Sequence, residues 1–192
     1  MGTIETDWFD PRRLFDEGYP GGLTSALRAL PAVRTTVHDT IRSTAARTVL
    51  EIGPGDAPVA EGIPGVVYMD IAARFLVRLH GPRVVADLFH APFAPGSFEL
   101  VVASDVLTHV RPAHRREALA RIAELGRDII VFNPEPGTAQ VPDSPVPTRL
   151  VTAFLDGNGY RVESRKFVAM TPGGEYRMRL VLGRRGPSGR GG

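Results

Sequence analysis

Five short runs of apolar, mostly β-branched residues recur through the middle of the chain, and none alternates between apolar and polar positions. They are Thr48-Val49-Leu50, Val66-Val67-Tyr68-Met69, Arg83-Val84-Val85-Ala86, Phe98 to Ala103, and Ile129-Ile130-Val131-Phe132. A strand that stays apolar at every position is covered on both faces, which is the condition of a parallel sheet. Helical stretches at 72–80 and 113–125 separate several of the runs, and in the second of these Leu119, Ile122 and Ala123 share one face. Alternation of this kind predicts a doubly wound α/β sheet. The last third changes character. Thr148 is placed to cap a helix whose Leu150, Val151, Phe154 and Leu155 form an apolar stripe, closed by Gly157 and Gly159. Strand-like runs at 160–169 and 175–183 follow, and Thr171-Pro172-Gly173-Gly174 between them predicts an antiparallel hairpin. The expectation is a mostly parallel, seven-stranded sheet ending in that hairpin.

At 192 residues the chain suits one principal core. It contains no cysteine, which excludes disulfides and thiolate metal sites and fits a reducing cytoplasm. No metal site is expected. No apolar run reaches the length of a membrane span, and the acidic start (Glu5, Asp7, Asp10) is unlike a signal peptide. The net charge is +2, and without Arg184, Arg185 and Arg190 at the end it is −1, so no nucleic-acid partner is expected. Residues 1–46 are read as an aromatic and helical cap, with a helix over about 23–46 interrupted at Pro31. Residues 47–183 form the α/β domain and 184–192 a disordered tail. Trp8 and Tyr19 either close over a ligand or substrate or simply cover a bare sheet face.

The chemistry concentrates at strand ends. Val49-Leu50-Glu51-Ile52-Gly53-Pro54-Gly55 is a buried strand running into a turn whose two glycines let a ligand approach the backbone closely. Ligands of open α/β sheets bind at such carboxyl ends. A strict dinucleotide fingerprint needs glycine where this chain has Pro58, which weakens a nicotinamide reading. The second run ends in Asp70, a carboxylate able to accept both ribose hydroxyls of an adenosine, to cap a helix starting at Ile71, or both. The third ends in Asp87-Leu88, where a carboxylate and a backbone N–H suit an adenine ring.

These residues resemble the class I S-adenosylmethionine-dependent methyltransferases, in particular the small-molecule branch similar to the quinone-biosynthesis enzymes. Residues 49–55 look like that family's first motif and 66–70 like its second. The strongest match is 84–110, with Asp87, the turn Pro92-Phe93-Ala94-Pro95-Gly96-Ser97-Phe98-Glu99 and the apolar fourth strand in order. The resemblance implies a Rossmann-like methyltransferase fold and methyl transfer from S-adenosylmethionine to a small-molecule acceptor by in-line displacement. It implies that Glu51, Gly53 and Gly55, with Pro54 between them, hold the methionine end of the cofactor. Asp70, with Ile71 beside it, takes the ribose, Asp87 and Leu88 the adenine, and Ser104 with Asp105 lines the pocket behind the methyl group. His109 is the candidate general base and, with Trp8 and Tyr19, the candidate acceptor-binding set. One departure stands out: residues 58–65 hold two prolines and two glycines and leave no room for the usual first helix. Arg12, Arg13 or another N-terminal group would then supply the positive charge that a helix N-terminus normally gives. Two other readings of the same residues are a non-catalytic relative that binds a nucleoside ligand or a partner protein, and a non-methylating enzyme on the same fold.

Overall fold

The computed structural model describes residue 28 and residues 30–135, 145–171 and 174–186. Trp8, Tyr19, most of the expected cap and the end of the expected tail lie outside that set. Seven strands form one sheet: β1 (Val49–Ile52), β2 (Val66–Asp70), β3 (Arg83–Val85), β4 (Phe98–Ser104), β5 (Gly126–Pro134), β6 (Tyr160–Thr171) and β7 (Gly174–Arg185). Their order is β3-β2-β1-β4-β5-β7-β6. β1 to β5 pair in parallel, and β7 runs antiparallel to both β5 and β6. The strand order reverses between β1 and β4, so the crevice at their carboxyl ends lies where such sheets bind ligands.

Among the described residues four α-helices with defined bounds cover the sheet: α1 (Pro31–Ser43), α2 (Ala73–Leu76), α3 (Arg115–Leu125) and α4 (Thr148–Gly157). On one face Leu50, Ile52, Val101, Ala103, Ile129 and Val131 pack with Leu119 and Ile122 of α3 and Phe154 and Leu155 of α4. On the other, Val49, Leu100, Val102, Ile130 and Phe132 meet Val33, Val37 and Ile41 of α1. Those three side chains recur at helical spacing, and full burial of each is worth about 1.5–3 kcal/mol. α1 is thus part of the sheet's own packing, across the expected division at residue 46.

The structure moves several expected boundaries. Pro31 occupies the first turn of α1, where its missing N–H costs nothing, and the helical Arg28 followed by a bend at Leu30 agrees with the break expected there. The helix expected at 72–80 shrinks to the single turn of α2, and α3 starts at Arg115 behind a 3-10 turn, Pro112–His114. Thr148 does not cap α4. The cap position is Pro147, and the Thr148 hydroxyl donates to Glu135 Oε1 at 3.2 Å. β7 extends through Arg185, so the first residues of the expected tail are strand, with the Arg184 guanidinium donating to the Ser43 carbonyl and hydroxyl. Between β1 and β2 the chain makes only turns, with no helix at all. Val59 and Ala60 of that connection are fully buried beside α1 and take the place of an apolar helix face.

Candidate functional site

The carboxyl ends of β1, β2 and β4, with the segment after β3, open into a cavity of about 600 Å³. Its wall brings together Gly53, Gly55, Asp70, Ile71, Asp87, Leu88, Ser104, Asp105 and His109. Gly53 and Gly55 both have positive φ, 63° and 55°, which an L side chain adopts only with strain. A Cβ on Gly53 would stand 2.8 Å from Val106 Cγ2, so the turn has no room for one.

Asp70 leaves β2 with both oxygens engaged by the backbone: Oδ1 accepts from Ala72 N–H at 2.9 Å and Oδ2 from Gly55 N–H at 3.1 Å. It thereby ties the β1 turn to the β2 turn rather than capping a helix at Ile71; α2 begins at Ala73 and has no side-chain cap. Two N–H donors leave about half of the carboxylate's roughly four acceptor sites for a ligand. Burial raises the Asp70 pKa, opposed by those N–H groups and by Arg28. Asp87 caps the 3-10 turn Leu88–His90 by accepting from Phe89 N–H at 2.9 Å. Its side chain remains partly open to the cavity.

Glu51 and Pro54 do not line the cavity. The alternation of β1 directs Leu50 and Ile52 to the α3–α4 face and Glu51 to the opposite one, where it is fully buried. There its Oε1 accepts from Val59 N–H at 2.7 Å and Oε2 from Ala60 N–H at 3.0 Å. The carboxylate thus satisfies backbone donors of a connection that has no helix to satisfy them. Burial pushes its pKa up to about 7, against the pull of those N–H groups and of Arg28 and Arg34.

The residue that sequence reasoning missed is Arg28. It is 5% exposed, lies in the cavity wall, and donates from Nη1 to the Ser104 carbonyl at 3.2 Å. Its Nη2 stands 3.2 Å from where a Cβ of Gly55 would be, so the guanidinium lies against the glycine turn. It is an N-terminal cation of the kind expected to replace the helix charge; Arg12 and Arg13 lie outside the described residues. No motif marks it. Beside it the Ser104 hydroxyl is buried in the cavity wall and has no hydrogen-bond partner among the described residues. Leaving such a group unpaired costs about 1–3 kcal/mol, which a ligand would recover.

Asp105 has φ of 60°, a left-handed conformation unusual for a non-glycine residue. Its N–H donates to the Phe132 carbonyl at 2.7 Å, and Thr108 Oγ1 donates to its Oδ1 at 2.7 Å. These bonds hold a backbone strain of about 1–3 kcal/mol at the floor of the site. His109 ends the 3-10 turn that follows, Leu107–His109. Burial lowers its pKa, Asp105 partly restores it and Arg28 lowers it further, so the imidazole is neutral at pH 7. Of the other histidines, His38 does not line the cavity, and His90 is an exposed rim residue. Among the described residues no group of three His, Asp or Glu is placed to hold a metal, and no helix is long and apolar enough to cross a membrane.

Residues 50–128 match the protein family described as a methyltransferase domain. No curated protein matches the chain. Among solved structures, a SAM-dependent methyltransferase from Archaeoglobus fulgidus superposes with a TM-score of 0.65 at 16% identity, over 80% of this chain and 93% of that one. The N-methyltransferase NodS from Bradyrhizobium japonicum, in complex with S-adenosylhomocysteine, gives a TM-score of 0.65 at 16% identity over 84% and 91%. The 1,6-didemethyltoxoflavin-N1-methyltransferase from Burkholderia thailandensis gives 0.61 at 15% over 82% and 79%. The fold is that of the class I S-adenosylmethionine-dependent methyltransferases.

Proposed function

With a methyltransferase domain in residues 50–128 and the fold of the S-adenosylmethionine-dependent enzymes around it, we propose that this protein transfers a methyl group from S-adenosylmethionine to a small-molecule acceptor by in-line displacement. The observation that carries this reading is the meeting of Gly53, Gly55, Asp70, Asp87 and Arg28 on one cavity at the switch point of the sheet. The donor set fits the cofactor. A glycine turn admits a close backbone contact, and Arg28 with the unpaired Ser104 hydroxyl suits the amino-acid end. Asp70 has acceptor sites left for ribose hydroxyls, and Asp87 with Leu88 suits the adenine.

When bound, S-adenosylmethionine supplies an electrophilic methyl on a sulfonium, so the chain itself must chiefly bind, orient and exclude water. The Asp70 bonds to Gly55 and Ala72 fix two turns in one arrangement. Pre-set contacts of this kind lower the entropy lost on ordering the site. His109, neutral by burial, accepts the proton of the acceptor's attacking group on an imidazole nitrogen. Asp105 faces the imidazolium that results and stabilises it. The acceptor is a small metabolite admitted from the rim.

Calorimetric titration with S-adenosylmethionine, S-adenosylhomocysteine and NADH tests this reading, with binding expected for the first two alone. Asp70→Ala should weaken both by about 1–3 kcal/mol, the cost of unpairing buried polar groups. A folded protein that binds neither sulfur ligand is not a methyltransferase. Binding without turnover on any acceptor favours a non-catalytic relative, the reading to which the missing helix between β1 and β2 lends weight.

A further inference from the structure

The segment from His109 to α3 and the turn after β3 bring basic side chains to the rim of the cavity, beside the acids Asp87 and Glu117. Four basic side chains line the opening, His90, Arg111, His114 and Arg121. Three of them have an acid close by: His90 lies 3.8 Å from Asp87, His114 3.4 Å from Glu117, and Arg121 2.8 Å from Glu124. Arg111 differs, in that no carboxylate or carbonyl among the described residues accepts from its guanidinium, while it faces the same cavity as His109.

Its backbone is nevertheless held. Arg115, buried at 3% exposure, donates from Nε to the Val110 carbonyl at 3.1 Å and from Nη1 to the Pro145 carbonyl at 3.0 Å. Pro112 follows directly and begins the next 3-10 turn. Val110 is extended, with φ −95° and ψ 130°. The Cα atoms of His109 and Arg111 are therefore at most about 7 Å apart, the reach of two extended residues. A fixed stem thus presents an uncommitted guanidinium beside the candidate base.

Resting on the methyltransferase reading of the same cavity, we propose that Arg111 selects acceptors that carry an anionic group, a carboxylate or a phosphate. The planar guanidinium binds such groups through two parallel N–H bonds, which gives direction as well as attraction. The anion docks at the rim while the acceptor's nucleophile lies at His109, one short molecule bridging the two. The charge is offered to a ligand, because the neighbouring guanidinium of Arg121 is already paired with Glu124. Arg111 acts on specificity and takes no part in proton transfer.

The test uses protein saturated with S-adenosylhomocysteine and titrated with benzoate, phenyl phosphate, benzamide and benzylamine. Benzoate or phenyl phosphate should bind at least about ten-fold tighter than benzamide, the worth of a hydrogen bond to a charged partner. Benzylamine should bind most weakly. Arg111→Ala should abolish the anion preference while leaving benzamide and S-adenosylhomocysteine affinity unchanged, and Arg111→Lys should restore part of it. Tighter binding of benzoate than of phenyl phosphate assigns a carboxylate, and the reverse order a phosphate. Equal affinity for charged and neutral probes, no binding of any probe, or a preference that survives in Arg111→Ala overturns the proposal and leaves the methyltransferase reading intact. Failure to bind S-adenosylhomocysteine overturns that parent reading, and this one with it.

Discussion

Glu51 shows how one buried carboxylate reports on its surroundings. Its folded-state pKa of about 7 stands above the ordinary 4.5, so its contribution to stability is complete below the ordinary value and is lost as pH rises through 7. Between pH 5 and pH 8 that loss amounts to about 2 kcal/mol. Urea unfolding at the two pH values should show the wild type falling by this amount relative to Glu51→Gln, whose amide does not titrate. Parallel curves for the two proteins would contradict the burial described. His109 has the opposite sense: its pKa is lowered by burial, so the imidazole is a free base at neutral pH. His109→Gln should reduce turnover by about 10²–10⁴-fold and remove the acid limb of the pH–rate profile, with S-adenosylhomocysteine affinity unchanged. Asp70 and Asp87 were legible in the sequence because each closes an apolar run, and a carboxylate at a strand end is conspicuous. The direction of Glu51 was not, since a strand buried on both faces carries no polarity signal to say which residues point where. Arg28 was illegible for another reason: it comes to Ser104 across 76 residues of sequence, a distance no local pattern bridges.

Elements repeat this contrast between what is local and what is not. All seven strands follow from apolar runs and one turn signal, and the absence of a helix between β1 and β2 follows from the prolines and glycines there. Helix ends were less legible, because Thr148 is read as a cap while its hydroxyl bonds Glu135 instead. Two glycines at helix ends make a matched test. At Gly126, where α3 passes into β5, an added Cβ would meet Val101 Cγ2 at 2.5 Å and Val101 N at 3.2 Å. Gly126→Ala should therefore cost about 1–3 kcal/mol through overpacking. In a protein of this size that is a drop in Tm of about 2–4 °C per kcal/mol. Gly157, the last residue of α4, has nothing within 4 Å of the same position. Gly157→Ala should leave the melting temperature unchanged or raise it, by about 0.4–1 kcal/mol of unfolded-state entropy. Thermal scans of the pair separate packing from backbone freedom, and a larger loss at Gly157 would refute the contact geometry.

For the molecule as a whole, the site joins three strand ends and Arg28, so a ligand there couples to global unfolding. S-adenosylhomocysteine at about one hundred times its Kd should add about 2.7 kcal/mol of stability, visible as a rise in melting temperature that grows with ligand concentration. NADH at the same concentration should leave the transition where it was. The packing of Val33, Val37 and Ile41 on the sheet has a practical consequence for anyone cutting the gene. A fragment trimmed to the recognised segment, or one begun at Thr48, would retain the strand ends yet bare an oily flank and discard the guanidinium of Arg28. Such a piece belongs in inclusion bodies, and the shortest useful expression boundary falls upstream of both.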